Sequence, residues 1–155
     1  MTFLVNDGDV DSNIVSRAID FTTVNDAPTL ANIEAVPAAY IEGGSAVSIT
    51  ANLSLADLDD TNIESAVVSI SNNYAAGEDE LIFTDQSGIS GSVDAATGTL
   101  TLTGSASVAD YQAALTTIAY NNTSANPSTL TRTVSFEIND GDLDSNILSL
   151  SLIHI

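Results

Sequence analysis

Short runs of acidic and amide residues are the part of this sequence whose types and spacing could do chemistry. The runs are Asp7-Gly8-Asp9-Val10-Asp11 with Asn13, Asn25-Asp26, Glu42, Asp57-Leu58-Asp59-Asp60 with Asn62, Asp140-Gly141-Asp142-Leu143-Asp144 with Asn146, and, more weakly, Glu78-Asp79-Glu80. Calcium takes about six to eight oxygen ligands from carboxylates, amides, backbone carbonyls and water. Several such runs brought together would suit it, although Asp and Asn also form turns by accepting hydrogen bonds from their own backbone.

The charge balance points in the same direction. The chain has 21 acidic residues against two arginines and no lysine, which gives a formal net charge of −19. Nucleic acids and anionic membranes are bound through basic patches, so neither is expected as a partner. No apolar run approaches the length that spans a bilayer, and membrane insertion is not expected. The acidity favours cations, with the solubility of a secreted or salt-adapted protein as the alternative explanation.

An internal repeat divides the chain. Residues 3–14 recur as residues 136–147 at a constant offset of 133 positions. Segments repeated at fixed spacing indicate a tandem array. We therefore interpret residues 1–24 as the C-terminal hairpin of a preceding repeat, 25–28 as the inter-repeat linker and 29–155 as one near-complete repeat. A lone hairpin is marginally stable in water, so residues 1–24 are not expected to form a domain.

The segments between the acidic runs predict strands. Apolar residues alternate with polar ones at Val134, Phe136 and Ile138, and again at Leu100 and Leu102. Short alternating segments separated by Gly, Asn and Asp turns predict an all-β, Greek-key β-sandwich. One short helical turn is expected near residues 107–115, where a serine can cap it and two apolar residues share a face.

The ordered set of acidic runs resembles the cadherin-like tandem repeats of very large, type I-secreted (RTX-type) bacterial adhesins. Asn25-Asp26-Ala27-Pro28 resembles their calcium-binding linker, Glu42 the acidic residue that ends the first strand, and Asp57-Leu58-Asp59 the paired aspartates after the second strand. The resemblance implies a cadherin/immunoglobulin-like sandwich at the cell surface that binds Ca²⁺. Its partners would be neighbouring repeats of the same polypeptide, and other domains would bind host or cell-surface ligands.

The same resemblance sorts the expected ligands between the two ends of the sandwich. Asn25, Asp26, Asp57, Asp59, Asp140 and Asp142 are expected to converge where the linker enters. Glu42 and the Glu78-Asp79-Glu80 run are expected to face a following repeat. Asp7 and Asp9 would belong to the corresponding end of the preceding repeat.

Catalysis has few candidate residues. Lysine and cysteine are absent, and His154 is the only histidine. A Ser-His-Asp arrangement would have to use this one residue, which lies in a predicted strand. We therefore expect a non-enzymatic, secreted calcium-binding module that acts as a stiffened spacer or adhesion domain. The alternative is a carbohydrate-binding module.

Overall fold

The computed structural model describes residues 1–154, and the prediction of an all-β sandwich is confirmed. The strands are β1 (Thr2–Phe3), β2 (Val15–Ser16), β3 (Thr29–Ala31), β4 (Ala38–Tyr40), β5 (Val47–Ser48), β6 (Ser54–Ala56), β7 (Asn62–Asn72), β8 (Asp79–Ile82), β9 (Ser90–Asp94), β10 (Thr99–Ser107), β11 (Ala119–Asn122), β12 (Arg132–Asn139) and β13 (Leu148–His154). A single helix in this part of the chain, α1 (Val108–Thr117), connects β10 to β11. Within the described residues, no helix has the length and apolar character needed to cross a membrane.

The largest sheet has six strands in the order β4-β13-β12-β7-β10-β9. Its central strand β7 pairs antiparallel with both β10 and β12, which are distant from it in sequence. The smaller sheets are β5-β11-β8, β3-β6 and the N-terminal pair β1-β2. The edge strand β4 pairs in parallel with β13, with Tyr40 opposite His154. This arrangement defines two ends: the linker end, where β12 finishes at Asn139, and the far end, where β12 begins at Arg132.

The core forms from the predicted alternation. Val134, Phe136 and Ile138 on β12 are at most 1% exposed, while the intervening residues of that strand are partly exposed. The helix covers one side of this core and runs longer than the predicted turn, to Thr117. The Ser107 hydroxyl accepts a hydrogen bond from the Asp110 amide at 3.1 Å, which caps its first turn.

A buried ion pair closes the far end of the core. The guanidinium Nε of Arg132 lies 3.1 Å from Asp79 Oδ2, and both side chains are fully buried. Asp79 also accepts hydrogen bonds from Asn122 Nδ2 at 2.7 Å and from the Ala75 amide at 2.8 Å. The expectation that this acidic run faces a following repeat is therefore wrong for Asp79, because its carboxylate points into the protein.

Residues 1–24 are entirely exposed, and residues 1–17 of this segment form a hairpin. Strands β1 and β2 pair Phe3 with Val15, as β12 and β13 pair Phe136 with Leu148. Phe3 is 50% exposed whereas Phe136 is fully buried. The N-terminal segment thus adopts the same hairpin as the C-terminal one, without a sheet to cover its apolar face.

Gly98 offers a test of how tightly the far end is packed. Its φ of 70° suits glycine, and a Cβ there would lie 2.6 Å from the Tyr74 ring. Gly43 has a similar φ of 67° with nothing near a Cβ. Gly43→Ala should cost about 1–2 kcal/mol of unfolding free energy from backbone strain alone. Gly98→Ala should cost about 1–3 kcal/mol more, because the Tyr74 ring must move.

Urea denaturation of the two variants beside the parent protein measures this difference. Moving the ring also disturbs the hydrogen bond that Tyr74 Oη donates to the Ala95 carbonyl at 2.6 Å. Equal losses in the two variants would show that the Tyr74 contact contributes nothing to stability.

Candidate metal centre

Three carboxylates meet at the linker end of the sandwich. Asp57 follows β6, Asp60 precedes β7 and Asp140 follows β12, and each offers an oxygen within 4.8 Å of the other two. All three side chains are partly buried. Oxygens on opposite sides of one calcium ion lie about 5 Å apart, so the spacing is compatible with a shared ion.

Local turns orient two of these carboxylates in the same way. Asp57 Oδ1 accepts hydrogen bonds from the amides of Asp59 and Asp60, at 3.2 and 2.9 Å. Asp140 Oδ1 accepts them from the amides of Asp142 and Leu143, both at 2.7 Å. Each aspartate therefore uses one oxygen to hold its own turn and directs the other away from it.

The Oδ2 atoms of Asp57 and Asp140 have different surroundings. Asp140 Oδ2 accepts a hydrogen bond from Asn25 Nδ2 at 2.9 Å. Asp57 Oδ2 is buried and has no hydrogen-bond partner within the described part of the chain. A buried acceptor without a donor costs free energy, and the cost is greater when the group is charged. A cation held between Asp57, Asp60 and Asp140 would remove that cost.

Electrostatic repulsion is concentrated on Asp60. Burial raises its pKa, and the negative charges of Asp59, Asp57, Asp140 and Asp142 raise it further. Asp140 behaves in the opposite way. Burial raises its pKa too, but hydrogen bonds, led by the Leu143 amide and the Asn25 side chain, outweigh that effect and lower the pKa overall. The cluster is thus only partly compensated by donors from the chain.

The linker is held against this cluster. Besides the contact from Asn25, the Asp26 amide donates to both carboxylate oxygens of Asp59, at 3.2 and 3.3 Å. Just after the linker, the Asn146 side chain bonds both backbone groups of Leu30: it accepts from the amide at 2.9 Å and donates to the carbonyl at 3.0 Å. The chain that enters the sandwich therefore touches both acidic loops.

The structure places the expected ligands in three different settings. Asp57 and Asp140 belong to the cluster, and Asn25, Asp26 and Asp59 lie beside it through the hydrogen bonds described above. Asp142 is exposed next to it and contributes its amide to the Asp140 turn. The remaining expected ligands, which are exposed and lie in other parts of the chain, are Glu42 after β4 and Asp7 and Asp9 in the N-terminal hairpin.

Asp60 was not among the expected ligands, although it belongs to the run that contains Asp57 and Asp59. Its position two residues before β7 brings it close to Asp140, whereas Asp59 accepts hydrogen bonds from the linker. The signal available in the sequence was the spacing of three residues from Asp57. In a turn held by Asp57 Oδ1, this spacing returns the chain to the same side.

Comparisons with known proteins give no relative. No family model, curated protein or solved structure matches the chain.

Removing one charge from the cluster should stabilise the metal-free protein. The folded pKa of Asp60 lies above its ordinary value of 3.8. Ionised Asp60 therefore destabilises the fold near neutral pH, and this effect disappears as the pH falls through the folded pKa toward 3.8. We expect Asp60→Asn to raise the melting temperature in excess chelator at neutral pH, with a difference that shrinks in acid and in high salt.

Asp20→Asn is the matched control, because it removes one equal charge from the exposed N-terminal segment. It should leave the melting temperature of the sandwich unchanged. Equal melting temperatures for the parent and Asp60→Asn proteins in chelator would contradict strong repulsion within the cluster.

Proposed function

We propose that this chain is a calcium-binding extracellular repeat module of a large bacterial surface adhesin, in which the ion stiffens the junction between successive repeats. The observation that carries the proposal is the buried, unpartnered Oδ2 of Asp57, which lies in a cluster with the carboxylates of Asp60 and Asp140. Calcium favours oxygen ligands and tolerates irregular geometry, so this donor set fits it.

The linker gives the cluster its mechanical role. Asn25 and Asp26 connect to the acidic loops through hydrogen bonds to Asp140 and Asp59. Carboxylates this close repel one another and weaken the hold of the loops on the linker. Asp57, Asp60 and Asp140 would hold the ion, which supplies the positive charge that the chain lacks there. The loops after β6 and β12 and the linker between repeats then become one rigid unit.

The repeated hairpin supports a tandem arrangement. The segment before the linker adopts the hairpin of β12 and β13, so the linker follows the same structural element that ends the described repeat. Calcium modules outside the cell function with dissociation constants of about 10⁻⁴–10⁻³ M. Such a chain remains flexible in the cell, where calcium is scarce, and stiffens after secretion. An array of these modules would hold adhesive domains away from the cell surface.

Calcium should raise the melting temperature of the protein. For a site that binds only the folded state, calcium at about a hundred times the dissociation constant adds about 2.7 kcal/mol to the free energy of unfolding. Differential scanning calorimetry in chelator, then with added calcium or magnesium, measures the effect. Magnesium should act less strongly, because it requires a tight octahedral shell.

Asp57→Asn separates the site from the fold. Its Oδ1 can still accept the turn hydrogen bonds from the Asp59 and Asp60 amides, while the charge and the second acceptor oxygen are lost. We expect this variant to match or exceed the parent melting temperature in chelator and to lose most of the calcium response. Asp20→Asn should keep the whole response. A melting temperature of the parent protein that calcium leaves unchanged would refute the metal site.

A further inference from the structure

The only histidine of the chain lies at the far end, away from the acidic cluster. His154 is the last residue of β13, and its Nε2 is 2.7 Å from the Tyr120 hydroxyl. Its ring packs against those of Tyr40 and Tyr120, with centroid separations of 5.4 and 5.8 Å. The other ring nitrogen, Nδ1, is buried and has no hydrogen-bond partner among the residues that the structure describes.

Counting hydrogens assigns the tautomer of this histidine. Asp79 pairs with Arg132 and is ionised, so it can only accept hydrogen bonds. The Tyr120 hydroxyl, 2.5 Å from Asp79 Oδ1, therefore directs its single hydrogen to that carboxylate. Toward His154 the hydroxyl oxygen can then only accept, which places the hydrogen of the neutral imidazole on Nε2. Nδ1 carries the bare lone pair.

Protonation of His154 would therefore have to occur at Nδ1, where none of residues 1–154 offers an acceptor for the new hydrogen. The charged groups around His154 have opposite effects on its pKa. Burial lowers the pKa of His154 and the positive charge of Arg132 on β12 lowers it further, while Asp79 on β8 and Glu78 just before it act in the opposite direction. The phenol rings of Tyr40 on β4 and Tyr120 on β11 pack against the imidazole.

We propose that His154 is a pH-sensitive latch that holds the end of β13 against β4 while it is neutral and releases it when it is protonated. The register supports this role, because His154 is paired with Tyr40 at the end of the parallel ladder. Tyr40 in turn donates to the Asn122 carbonyl at 2.9 Å, and so joins β4 to β11. One ring thus lies among the ends of β4, β11 and β13.

The folded pKa of His154 sets the direction in which pH changes the stability of the protein. The folded pKa lies below the ordinary value of 6.5. The stability that neutral His154 provides is therefore fully present above 6.5 and is lost as the pH falls through the folded pKa. Each unit between the two pKa values corresponds to about a tenfold change in the folding equilibrium constant.

The repeat inside the chain supplies a matched substitution. Phe21 occupies the position in the first copy that corresponds to His154 in the second, given the offset of 133. His154→Phe keeps an aromatic ring and removes the titration.

Nuclear magnetic resonance of the parent protein tests the tautomer directly, and a single histidine makes its imidazole signals unambiguous. At about pH 7.5, where histidine is normally neutral, Nε2 should carry the hydrogen and Nδ1 should show the shift of an unprotonated nitrogen. The titration midpoint should lie below 6.5. A hydrogen on Nδ1, or a midpoint at or above 6.5, overturns the proposal.

Denaturation of the parent and His154→Phe proteins between about pH 7.5 and pH 5 tests the consequence. Titrating carboxylates affect both proteins alike, so the difference between the two curves isolates His154. The parent should lose stability relative to the variant as the pH falls. Corrected amide exchange of the parent should show lower protection at Leu152 and His154 in acid, independently of whether the variant folds. Parallel stability curves, or unchanged protection at the end of β13, would refute the latch.

Discussion

Acidic residues outnumber basic ones by 21 to two in this chain, so almost every carboxylate must be accommodated without an ion pair. In the part of the chain that the structure describes, the bond between Arg132 and Asp79 is the only salt bridge. Backbone amides take its place elsewhere: Asp7, Asp57 and Asp140 each accept two of them in their own turns. A turn satisfies one carboxylate oxygen and leaves the charge in place, so folding by itself does not relieve the repulsion.

The two ends of the sandwich resolve this constraint differently. At the far end, Asp79 lies within β8 and meets Arg132, Tyr120 and Asn122 between the sheets, which supply enough donors to hold it ionised. At the linker end the acids lie in loops beyond the strands, where backbone amides and the Asn25 side chain are the donors that the described residues supply. Asp57 Oδ2 is left without a donor. The buried acid at the far end is therefore paired within the fold, whereas the acids at the linker end keep charges that no basic side chain of the described residues balances.

Local patterns in the sequence were sufficient for the strands, but long-range pairings decided the roles of the acids. Alternation predicted the buried face of β12, and the serine cap predicted the helix. The run Glu78-Asp79-Glu80 was expected to face a following repeat, yet the alternation of β8 buries Asp79 with Leu81. Its partner Arg132 comes from 53 positions away, a contact that no local pattern reveals. Asp60, and not Asp59, joins the cluster with Asp57 because β12 brings Asp140 close to it.

The two copies of the hairpin show which features of the candidate metal centre come from the loop alone and which require the sandwich. In the exposed N-terminal copy, Asn6 donates to Asp11 at 2.6 Å, and in the packed copy Asn139 donates to Asp144 at 2.8 Å. Asp7 Oδ1 also accepts two amide hydrogen bonds in its own turn, as Asp140 Oδ1 does. The loop therefore keeps this geometry with or without a sheet behind it. What the sandwich adds is the register of β7 on β12, which pairs Ser65 with Asn139 and brings Asp60 to Asp140. The proposed site therefore depends on the register of the core strands, and among the described residues the N-terminal loop has no second acidic loop beside it.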